Sequence, residues 1–494
     1  MSGLATVEEG STPSHEKPAM TATEGEQRRH QKMTLVDQVL RWPAFGAISQ
    51  ADQPLGNRDD ELVMITEVEG SSDKKEPSET PPLSTRDISH YVEVYRQRTF
   101  PVYPFLNFEK LRLACNSFAF FAKTAHNRPQ YNLHYALALL VIALGQLHEH
   151  GLSPGSLSTP GRESVDKALR ILAREPGGCS IFSVQAKLLA TIYMCHVLEI
   201  NSGIRCLESA CLALEISMTH RPEVDEEEKN LRLFAYWTCL DLHRVIHSQI
   251  VGEFFPLCNV GFWTWERPEL PGDTSIGIAP EAAKEVCRHF NHRIRLRRQQ
   301  MKVLSTSYPL NPDVHHVPDW DEMARLEAEL VGTRLMLRGD SWEDTEGSGQ
   351  VLSPEKASLR ALFYETRFLV WLPALQYAQH NPDAATEYLY GSGTCADAAY
   401  RYSTVLDNLN LFSCIDTYSW MSTQLTVLLI LHIARPSGKL DSSSVGQAML
   451  ALTDRIDQAY GRSKNYSPTL DTLIAVIKQA LLKVGRDTCA GGPP

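Results

Sequence analysis

HYALALLVIALGQL, residues 134–147, decides the fold class. The stretch is apolar nearly all round, with an unbroken aliphatic run from Ala136 to Leu144. Such a segment is expected to form a central helix wrapped on every side by other elements. It is too short to span a bilayer, as is Leu425–Ala434, because a spanning helix needs about 20 apolar residues. Working outward, helical spacing of apolar residues recurs at about 108–125, 131–149, 164–174, 180–200, 203–219 and from the VDEEEK segment to about His247. After a non-helical stretch, Gly252–Gly277, it resumes at about 280–306, 321–337, 355–379, 383–390, 395–412, 416–434, 441–460 and 466–484. No strand-type alternation persists long enough to build a sheet, and no fixed-period repeat marks a solenoid. The expectation is an all-α, irregular multi-helix domain of antiparallel helix pairs over residues 87–489.

Residues 1–86 read differently. They are rich in Ser, Thr, Pro, Gly and Glu and end in EPSETPPLST, the composition of a disordered acidic tail. Within it, Lys32–Trp42 has apolar residues near helical spacing, and Asp59–Glu69 interleaves acids with apolar residues. Thr85 or Asp87 is placed to cap the first helix, which carries Ile88, Tyr91, Val92 and Tyr95 on one face. Residues 1–85 hold 15 acidic and 8 basic side chains out of a whole-chain net charge of −11, so the folded body is close to neutral. That balance has the wrong sign for binding nucleic acid chiefly by phosphate neutralisation. The 11 cysteines are scattered and odd in number, fitting free buried thiols in a reducing compartment better than a disulfide framework.

Ser89 to about Gly272 carries a series of local patterns in a fixed order. HYVEVYRQRTFPVYPFLNF opens it with a Tyr-rich helix and a Pro-punctuated turn. The buried helix follows, then SVQAKLLATIYM with Gln185, and then SACLALEISMTHRPEVDEEEKNLRLFAYWTCLDL with His220, Arg221, Arg232, Phe234 and Asp241. WTWERPELPG closes it. This set resembles the middle homology region of fungal zinc-cluster transcription factors, the fungal-specific transcription factor domain. Departures are Met218–Thr219 for Gly-Leu, Ala235 for Trp, Leu242 for Arg and GEF at Gly252–Phe254 for Gly-Arg-Pro. The resemblance implies an all-α regulatory domain that senses effectors and binds partners in the nucleus, shared with the cytoplasm. In that family DNA is read by a separate zinc cluster of six closely spaced cysteines. Here the first cysteine is Cys115 and no C-x-x-C pair occurs.

The expected function is therefore transcriptional regulation without direct DNA reading. Partners would be a DNA-binding transcription factor or co-regulator, a second copy in a homodimer, and a small-molecule effector, with no membrane attachment, no metal and no cofactor. Left open are a truncated form of a full zinc-cluster factor, a helical small-molecule enzyme and a scaffold. KEVCRHFNHRIRLRRQQMK, residues 284–302, carries seven cations and one acid. It is read first as a surface helix paired with acids of a neighbour, such as Glu226–Glu228 or the 339–346 loop. Its apolar stripe of Val286, Phe290, Ile294 and Met301 requires partial burial. If exposed, Arg293, Arg295, Arg297, Arg298 and Lys302 would serve as a nuclear-import patch. The aromatics of 254–265 read as loop packing before ligand pocket. The histidine pairs His148/His150, His289/His292 and His315/His316 lack metal-ligand company, and HExxH, G-x-S-x-G and the P-loop pattern are absent, so no catalytic residue is assigned.

Overall fold

The computed structural model describes residues 83–123, 132–151, 159–175, 178–197, 199–220, 224–246, 271, 276–307, 316–337, 354–381 and 383–405, with isolated helical positions between 423 and 454. The acidic tail up to residue 82 with its two short motifs, most of the 252–277 loop, the 339–346 loop, and the helices expected after 405 apart from those isolated positions lie outside the described residues. The described chain forms helices α1 (Thr85–Arg98), α2 (Phe108–Lys123), α3 (Leu133–His150), α4 (Arg162–Leu172), α5 (Ile181–His196) and α6 (Ile200–His220). Then come α7 (Glu226–Arg244), α8 (Pro280–Ser307), α9 (Trp320–Met336), α10 (Pro354–His380) and α11 (Thr386–Val405). The described residues contain no strand, so the fold is all-α.

The helices begin where side chains can satisfy their first amides. Ser84 is the cap of α1, one residue before Thr85 and three before Asp87, the two expected candidates. Its Oγ accepts from Asp87 N at 3.2 Å, and the Asp87 carboxylate accepts from Ser84 N at 3.1 Å, a reciprocal capping box. Asn132, Ser180, Asp225 and Asp319 cap α3, α5, α7 and α9, each side chain accepting from the backbone N–H three residues on. In α7, Glu226, Glu227 and Glu228 fill the first turn, where the helix dipole favours them.

Helix α3 is the centre, with every residue from Ala136 to Gly145 buried. It packs on α1, α2, α4 and α5. Gly145 lets α1 approach: a Cβ there would stand 2.1 Å from Tyr91 O, a backbone atom that cannot step aside. Tyr91 also reaches His150 at 3.1 Å, and His90 faces Glu149 at 3.3 Å.

Several neighbours pair antiparallel, as expected. Along α5 and α6, Gly203 sits against Cys195 and Met194, while Lys187, a turn or more earlier in α5, reaches Ser209 O further along α6. Along α9 and α10, Trp320 stacks near Trp371, and Arg334, two turns or more later, lies over Phe363, which is earlier in α10. Along α10 and α11, Tyr377 meets Tyr388, Phe368 O accepts from Cys395, and Arg367 pairs with Asp397. The sequence pattern predicts two short helices at 383–390 and 395–412. The chain instead runs through them as α11. Gly391 is a contact residue: a Cβ there would lie 2.7 Å from Trp371 Cε3.

One pair departs from the antiparallel expectation. Phe234 meets Phe290, Asp241 meets Arg297, and Arg244 meets Gln300, so both helices advance together. α7 and α8 are parallel, which the long connection 245–279 permits by carrying the chain back. The main hydrophobic core accordingly runs from Ile88 through Ile294 without a break, and the first half of α8 belongs to it. No helix among the described residues is long and apolar enough to cross a membrane.

Candidate functional site

From Asn230 to Arg244 every residue of α7 is buried, although the stretch includes Asn230, Arg232, Asp241, His243 and Arg244. Polar groups placed out of water need partners, and charges need opposite charges. Arg232 donates through Nη1 to Ser217 O at 2.9 Å and through Nη2 to Glu228 Oε1 at 2.6 Å. It thereby ties the last turns of α6 to the first turns of α7. Two residues further, Phe234 packs its ring 5.1 Å from that of Phe290 on α8.

Asp241 is the centre of a buried charge cluster. Its Oδ1 accepts from Arg297 Nε at 2.9 Å and its Oδ2 faces Arg293 Nη2 at 3.4 Å. The side chains of Asp241 and Arg293 are 4% and 7% exposed, so water cannot stand in for either partner. Arg293 also donates to Val102 O at 2.6 Å and lies over the Tyr103 ring at 5.0 Å. Arg297 Nη1 donates to Gln300 Oε1 at 2.8 Å, and Arg244 donates to the same oxygen. A continuous polar chain thus joins the turn between α1 and α2 to α7 and α8.

Glu365 on α10 adds a second negative charge. Burial pushes the Arg244 guanidinium down to about 9, and the Arg297 charge acts the same way, while Glu365 and Asp241 oppose them. For Arg297 burial also acts to lower the pKa, but Asp241 and Glu365 outweigh it and the result is a raised value. Chemically the cluster is a lock. Its carboxylate is committed to two guanidinium groups.

A second buried pair lies between α3 and α5. The His148 and His196 rings meet edge-on, 5.2 Å apart. His148 Nε2 bonds Thr99 Oγ1 at 2.8 Å and His196 Nδ1 bonds Ile192 O at 2.6 Å. Burial, with His196 and Arg98 nearby, lowers His148 to about 3 and keeps it neutral. His289 bonds Glu355 O at 3.0 Å, and burial lowers it to about 4. Among the described residues no three His, Cys, Asp or Glu side chains come together as a metal site requires.

The positions singled out in the sequence are thus mostly links across the body. Gln185, 2% exposed, donates from Nε2 to Phe105 O at 2.6 Å, fastening α5 to the turn before α2. Arg232, Phe234 and Asp241 bind α6, α8 and one another as described. His220 is the last residue of α6, its side chain lies outside the described residues, and so does Arg221.

The import patch was expected only if its residues were exposed, and two of the five, Arg293 and Arg297, are turned inward onto Asp241. Arg298 lies over the Trp237 ring at 5.6 Å and Lys302 holds Glu329 at 2.7 Å, leaving Arg295 as the exposed member. The apolar stripe forces this, since Arg293 and Arg297 flank Phe290, Ile294 and Leu296 on the buried side. The acids expected as partners serve elsewhere: Glu227 takes Lys110 and Asn107, and Glu228 takes Arg232. Sequence reading named Asp241 but missed its role. The available signal was its spacing on α7, one turn or two beyond Phe234 and Trp237, which puts a carboxylate on a buried face.

No family model, no curated protein and no solved structure matches this chain.

Proposed function

We propose that this protein is a fungal-type transcriptional regulator whose helical body takes an effector and docks a DNA-binding factor or co-regulator, rather than reading DNA itself. The reading rests on one observation above all. The ordered patterns from Ser89 to Gly272 that resemble the fungal regulatory domain supply Gln185, Arg232, Phe234 and Asp241, and all four are buried links between helices. The near-neutral body and the inward turn of Arg293 and Arg297 agree with recruitment by a partner instead of DNA-backbone contact. On this reading the chain is not an enzyme and works in the nucleus, entering with its partner.

The experiment is a tethering assay. The full chain, fused to a heterologous DNA-binding module, is expected to raise or lower transcription of a reporter carrying the cognate site. The Asp241→Asn variant should lose that effect. The untethered protein should show no preference among duplex DNA sequences. A fusion that leaves the reporter unchanged in both directions, or an unfused chain that selects one DNA sequence, refutes the proposal.

A further inference from the structure

A cavity of about 430 Å³ opens along the outer side of α8. Its described lining includes Lys284, Arg288, Asn291, His292 and Arg295, with Pro271 at one side. Lys284, Arg288, Asn291 and Arg295 recur at spacings of four, three and four, with His292 beside Asn291, so they share one face over about 16 Å of helix. None of the described lining residues is acidic. Lys284 reaches Glu281 at 3.1 Å and Arg288 reaches Glu285 at 3.5 Å. Both are solvent-exposed pairs within one helix, which an incoming anion can displace at small cost. Arg295 is exposed and makes no ion pair among the described residues.

The polar groups at the base of the cavity are fixed. Pro271 O accepts from Cys287 Sγ and from Asn291 Nδ2, each at 3.2 Å. That leaves Asn291 Oδ1 buried and without a hydrogen bond, an acceptor at the cavity wall. Small-ligand sites run from roughly 300 to 1,000 Å³, so this open depression has room for a small metabolite. Guanidinium groups recognise carboxylate and phosphate through paired, charge-assisted hydrogen bonds.

We propose that this cavity binds a small organic polyanion carrying two or more carboxylate or phosphate groups. Binding stands on the cavity alone, and its use as the effector input rests on the regulatory reading above. The two inner-face arginines, Arg293 and Arg297, belong to the buried lock and take no part. Ligand therefore meets only the outer face of the same helix that clamps Asp241, which gives the site a direct mechanical route to the core.

The test is calorimetric titration of the full chain with citrate and, separately, with pyrophosphate. The two probes distinguish a carboxylate from a phosphate preference. At least one is expected to bind saturably, and the Arg288→Gln/Arg295→Gln double variant should bind about tenfold or more weakly with an unchanged circular dichroism spectrum. The Arg325→Gln variant, which removes an exposed cation on α9, should bind as the parent does. No saturable binding of either probe overturns the proposal, as does equal loss in the α9 control. A short duplex DNA that binds more tightly than both probes and is lost with the same two arginines would assign the face to nucleic acid instead. Failure of the regulatory reading would appear in the reporter assay and leave this titration intact, and failure here would leave the reporter response of the fusion unaltered.

Discussion

Replacing Asp241 with Asn tests the central architectural claim. The substitution keeps an oxygen that can accept from Arg297 but removes the charge that Arg293 and Arg297 face at 3.4 and 2.9 Å. Arg293 is buried and Arg297 nearly so, and with Asp241 neutral the remaining negative charge near Arg297 is Glu365 on α10, while no described acid on α8 faces either guanidinium. Removing one partner of a buried ion pair costs about 3–5 kcal/mol, because the other charge is left uncompensated out of water. With one acceptor atom kept, a loss of about 3 kcal/mol is expected for Asn, and a larger one for Ala. The assay is urea denaturation of the full chain followed by circular dichroism. Raising NaCl to about 0.5 M should recover little, since ions screen exposed charges far better than enclosed ones. The exposed Arg96→Gln, which breaks a surface pair with Glu93, is the benchmark and should cost far less. A loss below about 1 kcal/mol for Asp241→Asn, or full recovery in salt, would refute the reasoning and mean that the cluster is hydrated.

Four further outcomes follow from other contacts. Gly145→Ala places a methyl against the Tyr91 backbone and should destabilise by about 3 kcal/mol or prevent folding, read as the urea midpoint or soluble yield. Gln185→Leu strands the Phe105 carbonyl and should cost about 1–3 kcal/mol on the same assay. His148 has its folded pKa lowered to about 3 from an ordinary value near 6.5, by burial first and by His196 and Arg98 after it. Its contribution is therefore complete above pH 6.5 and is lost as pH falls toward 3, at about 1.4 kcal/mol per pH unit. His148→Gln should flatten the acid limb of a stability profile between pH 6.5 and 4.5. Iodoacetamide should modify Cys179 in the native protein at pH 8 and reach Cys115 and Cys395 only after unfolding, because burial encloses both and raises their pKa, that of Cys115 to about 12. Peptide mass mapping of labelled sites checks this.

Helix existence was legible because burial imposes a period that the sequence must display. The apolar girth of 134–147 and the four acids at the start of α7 needed no tertiary knowledge. What escaped were features set by neighbours. Gly391 looks like a breaker in isolation, but it is a notch for Trp371. Arg293 and Arg297 look like surface charge, since a linear reading cannot see that a carboxylate fifty-odd residues earlier waits on a parallel helix. The Ser84 cap escaped because Thr85 and Asp87 carry equally suitable oxygens and only the backbone turn chooses among the three, with Asp87 serving as the reciprocal partner at N3. The candidate cavity was half visible. The cationic run was plain, but its division into an inward and an outward face required the three-dimensional placement of the apolar stripe.

The parallel register of α7 and α8 bears on how the protein can be divided. The resemblance ends near residue 272, which invites a fragment cut there. Such a piece would keep Asp241, Phe234 and Arg244 while discarding Arg297, Phe290 and Gln300, the groups that cover them. It would present an anionic, greasy scar and clump. The smallest self-sufficient excerpt therefore extends past Ser307, and a protease nick between the two helices should leave both products travelling together through a sizing column.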